Sequence, residues 1–411
     1  MQPFSNTSLT SRSLAKLARK SAQANALPMG RTTAPGTSAD ALIAALQPSV
    51  PTYIMRYNEA ARAAAAFQQQ FDGTVLYAVK VNPGRKMLQT LVRSGVRHFD
   101  VASLDEAKLV RRLAPKANLF FMHPVISAAT AAEAYSKYAV RTFAIDCEAS
   151  LAKIQDASGN AGDVSLFVRL ALPHASKSMI DLSRKFGADF DEAVALLKAA
   201  RPAAQRLGVT FHVGSQCMDT AAYREAISYA ATVIRASGVV VDAIDIGGGF
   251  PVTYPGMTPP PLGAFMQVIN NAFIENGLMG LERFCEPGRA LVASAASLVV
   301  QVDLRKNDVL YINDGTYGGL FDAGKSVQFR YPCRVIRKDG SAVSKELQAF
   351  RFAGPTCDSL DMMDGPFYLP VDVRDGDYIE ISQMGAYSES LRTGFNGYKD
   401  YLTVELIEGN C

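Results

Sequence analysis

The sequence predicts an α/β chain in two parts, a (β/α)8 TIM-like barrel followed by an antiparallel β domain. Three observations predict it. Short apolar runs alternate with amphipathic segments up to about residue 290 of the 411, and strands alternating with helices imply parallel βαβ units. Eight such runs can be counted; eight units close a barrel, with an open doubly wound sheet as the alternative. Beyond residue 290 only short runs separated by turns remain.

Residues 1–45 read as a basic, flexible tail. Five basic residues, Arg12, Lys16, Arg19, Lys20 and Arg31, precede the first acid, Asp40. The tail is a disordered extension, an organelle-targeting segment, or the product of an upstream start with a second initiation at Met29. Residues 46–290 are assigned to the barrel. TYIMRY (52–57) is strand-like, precedes the barrel, and is a candidate for joining the β domain. The barrel strands are VLYAVK (75–80), HFDVAS (98–103), NLFFMHP (118–124), RTFAIDC (141–147), VSLFVRLAL (164–172), GVTFHVGS (208–215), DAIDIGGG (242–249) and ERFCEPGR (282–289). Helical patterns such as DEAKLVRRL (105–113) and YREAISYAATVIRAS (223–237) lie between them. Residues 291–411 form the β domain, with strands in SLVVQVDL, DVLYIND, FRYPCRVI, LQAFRFAG, DYIEIS and YLTVELI.

Composition excludes several classes. Hydrophobic residues at 48% and charged residues at 20% are ordinary for a globular protein. A net charge of +3 is too small to argue for nucleic acid. No apolar run is long enough to span a membrane. Six scattered cysteines without CxxC fit reduced thiols in a cytoplasm, not a disulfide framework or a metal site.

In a barrel, catalytic groups gather at the C-terminal ends of the strands. Read in order, those ends carry Lys80, Asp100, Arg169, His212 with Ser215, Gly247 to Gly249, and Glu286 with Arg289. Three glycines after a strand let backbone N–H groups approach an anion; a tight strand-to-helix turn is the structural alternative. Gly247, Gly248 and Gly249 match neither the dinucleotide nor the P-loop pattern. With Arg289 on the next strand end, they lie where barrels bind phosphate, and Ser215 can add a hydroxyl. A carboxylate beside a phosphate site calls for a cation facing it, and a protonated pyridine nitrogen serves. Pyridoxal 5′-phosphate (PLP) has the phosphate, the pyridine and an aldehyde, and the aldehyde needs a lysine for a Schiff base. Lys80, partly buried at a strand end where burial lowers its pKa, is that lysine; a snorkelling or ion-paired lysine is the bland alternative. His212 is either a satisfied core histidine or a ring against the cofactor face. Asp100 and Arg169 are a candidate ion pair.

YAVKVN, FDVAS, FHVGSQ, DIGGGFP, EPGR, NDGTYG, GPTCDSLD and MGAYS resemble the ornithine/diaminopimelate decarboxylase family of PLP enzymes, over roughly residues 50 to 405. The resemblance implies a barrel plus a β domain, and a homodimer whose active sites are shared. It implies Lys80 as the Schiff-base lysine, Glu286 as partner of the pyridinium nitrogen, and His212 stacked on the ring. It implies Ser215, Gly247, Gly248, Gly249, Arg289 and Tyr387 as the phosphate cradle. Cys357 and Asp358 in GPTCDSLD resemble the pair lent by the other subunit. The cysteine protonates the product carbanion and the acid reads the substrate's distal group. Asp322 is a second candidate for the distal ammonium and Asp361 a weaker one. Tyr317 in NDGTYG and Phe395 in GFNGY fall at positions near the substrate. Diaminopimelate decarboxylases usually carry Glu after the cysteine. The CDS here points to a diamino acid, L-ornithine giving putrescine, with lysine, diaminopimelate and an inactive regulatory homologue as alternatives.

Overall fold

The structure, a computed structural model, describes residues 8–9, 31–33, 37–173, 178–180 and 185–407. The basic residues Arg12, Lys16, Arg19 and Lys20, the alternative start Met29 and Cys411 lie outside the described residues. The chain divides into two compact units: Ala61–Thr253 with Pro259–Leu291, and Met1–Ala60 with Tyr254–Thr258 and Val292–Cys411.

The first unit is a closed barrel of eight parallel strands. In order they are Thr74–Ala78, His98–Val101, Asn118–Phe121, Thr142–Ile145, Ser165–Arg169, Arg206–Thr210, Ala243–Asp245 and Glu282–Cys285. Closure comes from the eighth strand pairing with the first, Phe284 opposite Thr74 and Cys285 opposite Val75. Parallel strands are covered on both faces and therefore read as continuous apolar runs. Leu76, Phe120, Met122, Ala144, Phe167, Ala243 and Phe284 fill the interior. Gly208 makes room there: a Cβ on it would sit 2.5 Å from the Phe167 ring. The helices start where side chains meet their free amides. Ser103 caps Leu104–Leu113, accepting from the Glu106 amide at 3.2 Å, while the Glu106 carboxylate accepts from Ala102 N at 2.7 Å. Asp189 and Glu192 form the reciprocal pair on Phe190–Ala200. Gly159 and Gly238 end two helices in the left-handed conformation.

The second unit is a sheet. Its long strand Ala296–Lys306 pairs antiparallel with Thr52–Met55, Val309–Ile312 and Tyr378–Ile381. Cys333–Ile336 adds to Tyr378–Ile381, and Leu347–Ala353 pairs with Met362–Pro370, both antiparallel. One correction applies to a sheet that is mostly antiparallel as expected: parallel pairs occur within it. Val309–Tyr311 runs parallel to Arg351–Ala353, and Leu402–Glu405 runs parallel to Thr52–Met55. Met362–Pro370 is a strand that the sequence does not suggest, because Gly365 and Pro366 interrupt its pattern.

A second correction concerns the tail. The sequence groups residues 37–45 with a flexible extension, yet Ala39–Leu46 is a helix capped by Ser38 Oγ, which accepts from Ala41 N at 3.1 Å. Its face of Leu42, Ile43 and Leu46 packs with Ile54, Val299, Tyr378 and Val404. Burying each such side chain contributes roughly 1.5–3 kcal/mol, which overrides the Ser/Thr/Ala-rich texture of the preceding sequence. Among the described residues, no helix is long and apolar enough to cross a membrane, and no cluster of His, Cys, Asp and Glu is placed to hold a metal ion.

Candidate active site

At the C-terminal ends of the barrel strands the chain leaves regular structure, and the titratable residues begin there. The first strand stops at Ala78; Lys80 sits in the short helical turn Val79–Val81 beyond it. Its Nζ lies 2.9 Å from Asp100 Oδ2 at the end of the second strand, with side-chain exposures of 46% and 2%. This corrects two expectations. Lys80 is exposed, so burial is not what prepares its amine. Asp100 pairs with Lys80 and not with Arg169, whose guanidinium lies 5.8 Å from the Phe186 ring centre.

His212 follows the sixth strand. Gly214 N–H donates to its Nδ1 at 2.9 Å, which assigns the ring proton of a neutral imidazole to Nε2. Desolvation, then the positive Arg169 and Lys80, push its pKa down to about 3. The sixth strand itself ends at Thr210, not at Ser215. Ser215 opens a separate short strand, Ser215–Cys217, paired with Ser178–Ile180.

The three glycines after the seventh strand are fixed by their carbonyls. Gly247 O accepts from Glu286 N (2.8 Å), Gly248 O from Tyr223 OH (2.8 Å) and Gly249 O from Cys217 N (2.9 Å). Their backbone tolerates no side chain. A Cβ would meet Phe211 O at 2.2 Å from Gly247, Glu286 O at 2.5 Å from Gly248, and Gly214 O at 2.4 Å from Gly249. Among the described residues the N–H groups of Gly248 and Gly249 have no acceptor. Together with the buried guanidinium of Arg289, this is a set of donors for an anion such as phosphate.

Glu286 directly follows the eighth strand and is 6% exposed. Its Oε1 is buried without a hydrogen-bond partner, and its side chain shares a hydrogen bond with Asp245. Burial first, then the charges of Asp245 and Asp100, push its carboxyl well above the usual range. A buried carboxyl beside a glycine cradle and a reachable lysine fits a pyridinium, a phosphate and an aldehyde in turn. The residues present therefore fit PLP.

In the β unit the structure brings four of the expected residues together. Tyr317 OH donates to Asp358 Oδ2, and the Tyr317 and Phe395 rings lie 4.6 Å apart. That hydrogen bond, with a second from Leu360 N at 2.9 Å, holds the Asp358 carboxyl below the usual carboxylate range. Cys357 is exposed, and both its amide (3.3 Å) and its thiol (3.4 Å) lie against Asn396 Oδ1. Asp322 is buried in the turn Phe321–Ala323. Asp361 is no substrate ligand in this arrangement: buried, it ties two loops by accepting from Thr316 N (2.7 Å) and Thr356 Oγ1 (2.8 Å). Tyr387 holds a left-handed backbone, φ 56°. Sequence reasoning misses Asp245, Asn396 and the buried pair Arg392–Asp314 (2.7 Å) that braces the NDGTYG loop. Only Asp245 had a signal, an acid two residues before a glycine whose amide it accepts at 3.0 Å.

The family model for the pyridoxal-binding domain of pyridoxal-dependent decarboxylases matches residues 57–293. A lysine/ornithine decarboxylase from Selenomonas ruminantium is 33% identical over 340 residues, 81% of this chain and 83% of its own. Antizyme inhibitor 2 from Xenopus laevis is 32% identical over 351 residues, 79% of this chain and 73% of its own. The crystal structure of a lysine/ornithine decarboxylase from Vibrio vulnificus in complex with putrescine superposes with a TM-score of 0.76 at 28% identity, covering 91% of this chain and 99% of that one. The barrel, its cofactor-fitting rim and these similarities agree: the chain belongs to the pyridoxal-dependent decarboxylase family, and it is a PLP-dependent carboxy-lyase.

Proposed function

We propose that the chain decarboxylates a basic diamino acid, L-ornithine giving putrescine and CO2. The observation that carries this reading is Asp358, a half-buried carboxylate held ionised by Tyr317, one residue from the Cys357 thiol. An ionised acid beside a proton donor suits a substrate with an ammonium at its far end. The names of the Selenomonas and Vibrio relatives support the same substrate class.

PLP, when bound, supplies the electron sink for the pair left behind as CO2 departs. The residues around it have separate tasks. Lys80 offers an exposed amine for covalent attachment, with Asp100 fixing its position. The Glu286 carboxyl would receive the ring nitrogen. His212, neutral, presents an uncharged ring face. Gly248 and Gly249 N–H, Ser215 and Arg289 would take the phosphate. Cys357 donates its S–H proton to the substrate α-carbon, leaving a thiolate. Asp358 holds the distal ammonium, and Tyr317 and Phe395 wall its chain. Cys357 and Asp358 serve the barrel of a second copy in a homodimer. Exposed Leu360, Phe395 and Tyr398 around them supply apolar surface for that contact.

The test is CO2 release from L-ornithine, L-lysine, L-arginine and meso-diaminopimelate with PLP added. Preference for ornithine is expected. One methylene separates it from lysine, a difference of ~1–3 kcal/mol, so lysine should turn over more slowly but measurably. Preference for diaminopimelate would remove the Asp358 reading, and no release from any of them would point to a regulatory homologue.

A further inference from the structure

One buried acid at the barrel mouth has no task in this reading. Asp245 ends the seventh strand and is 0% exposed. Its carboxylate accepts from Thr210 Oγ1 at 2.7 Å and from Gly247 N at 3.0 Å. Thr210 stands opposite it on the neighbouring sixth strand. The third contact is with the Glu286 side chain. Two carboxyl groups touching in a dry site cannot both ionise, so the pair holds one proton between them. Glu286 Oε1 is buried and meets no N–H or O–H donor, so it is the oxygen that lies against Asp245.

We propose that Asp245 is a positioning residue for the cofactor: anchored by Thr210 and Gly247, it holds the buried Oε1 of Glu286 and turns the other carboxyl oxygen toward the ring nitrogen of PLP. The proposal rests on the cofactor reading of Glu286. When the ring brings its own proton on nitrogen, the proton shared by the two acids settles on Asp245. An O–H bond to Glu286 breaks and one to Asp245 forms, so Glu286 faces the pyridinium as an anion and no proton enters or leaves the pair. Asp100, Lys80 and the Cys285 thiol are the other titratable groups facing the pair, and the Lys80–Asp100 ion pair accounts for two of them.

The experiment is a PLP titration of the cofactor-free protein followed by absorbance, with thermal melting of the same samples. D245A releases Glu286. It should bind PLP at least ~10-fold more weakly, and the cofactor-free protein should melt lower, because Thr210 Oγ1 and Gly247 N lose their acceptor. D245N keeps a hydrogen-bond donor toward Glu286 and should restore affinity to within ~3-fold of wild type. Equal losses of PLP affinity in D245A and D245N would make Asp245 a packing residue and overturn the proposal. E286Q separates the two ways to fail. If E286Q binds PLP as wild type does, the Glu286 reading falls and this proposal with it. If E286Q is weakened and D245A is not, only the role of Asp245 falls.

Discussion

At the scale of single residues, the site is a set of charges whose environments set their tasks. Asp358 keeps its charge through a phenol hydrogen bond, so D358A should raise the KM for ornithine by ~10–100-fold, the range of a charged hydrogen bond. PLP affinity should not change; an equal shift in both would mean that Asp358 shapes the fold and not the substrate. C357A should divert product from amine toward aldehyde, read by mass spectrometry of the turnover mixture. Glu286 gives a pH signature. Its carboxyl is raised above the ordinary 4.5 in the fold, so the folded protein holds a proton that the unfolded chain gives up above that pH. The stability this contributes is present at low pH and fades as pH rises. E286Q, which cannot titrate, should therefore gain on the cofactor-free wild type in Tm as pH rises above the ordinary 4.5. Parallel melting curves would show that Glu286 is not protonated in the fold. Much of this scale is legible in the sequence: Lys80, Glu286 and the glycines stand out because their residue types are odd at strand ends. Asp245 shows there only as an acid two residues before a glycine, and its place beside Glu286 is not visible in chain order. Asn396 is silent for the same reason: its contact with Cys357 spans about 40 residues of chain.

At the scale of elements, the barrel strands are legible because burial on both faces gives each an apolar run, while their ends are not. The sixth run continues apolar through Phe211 and Val213, but pairing stops at Thr210, where His212 and Gly214 turn the chain. Pairing direction in the sheet is hidden too, since parallel and antiparallel partners share one alternation. The glycine turn makes an expectation of its own. Gly248→Ala would press a methyl 2.5 Å from Glu286 O and 3.2 Å from His212 Nε2. It should weaken PLP binding by more than ~10-fold through displaced donors, measured by the same absorbance titration. The helix Ala39–Leu46 makes another. Leu42→Ala should cost about 2–5 kcal/mol, seen as a lower melting temperature. A change within error would show that the helix docks without contributing stability.

At the scale of the whole molecule, the proposed function needs two copies. K80A lacks the attachment amine and C357A lacks the proton donor, so each alone should form almost no amine product. If Cys357 serves the other subunit's barrel, a mixture that exchanges subunits should recover about a quarter of wild-type activity, because half of the dimers carry one intact site. No recovery from an exchanging mixture would place both groups in one chain's site. The near-neutral charge is consistent with a small-molecule substrate and gives no hint of a second subunit, because apolar residues such as Leu360 and Phe395 read in sequence as ordinary loop positions.

The placement of Thr52–Met55 has a consequence for how the chain is made. This strand leaves the ribosome early, yet it lies between Ala296–Val299 and Leu402–Glu405. Roughly 240 residues must follow before the first partner appears, about 10–50 s at ~5–20 residues per second. Through that interval an apolar strand waits with both hydrogen-bonding edges open, while the barrel sequence that separates it from its partners is synthesised and can close. Nascent chains stalled before residue 296 should therefore hold a protease-resistant barrel and a cleavable segment around 50–56. The period of risk for aggregation ends only when the last strand is released.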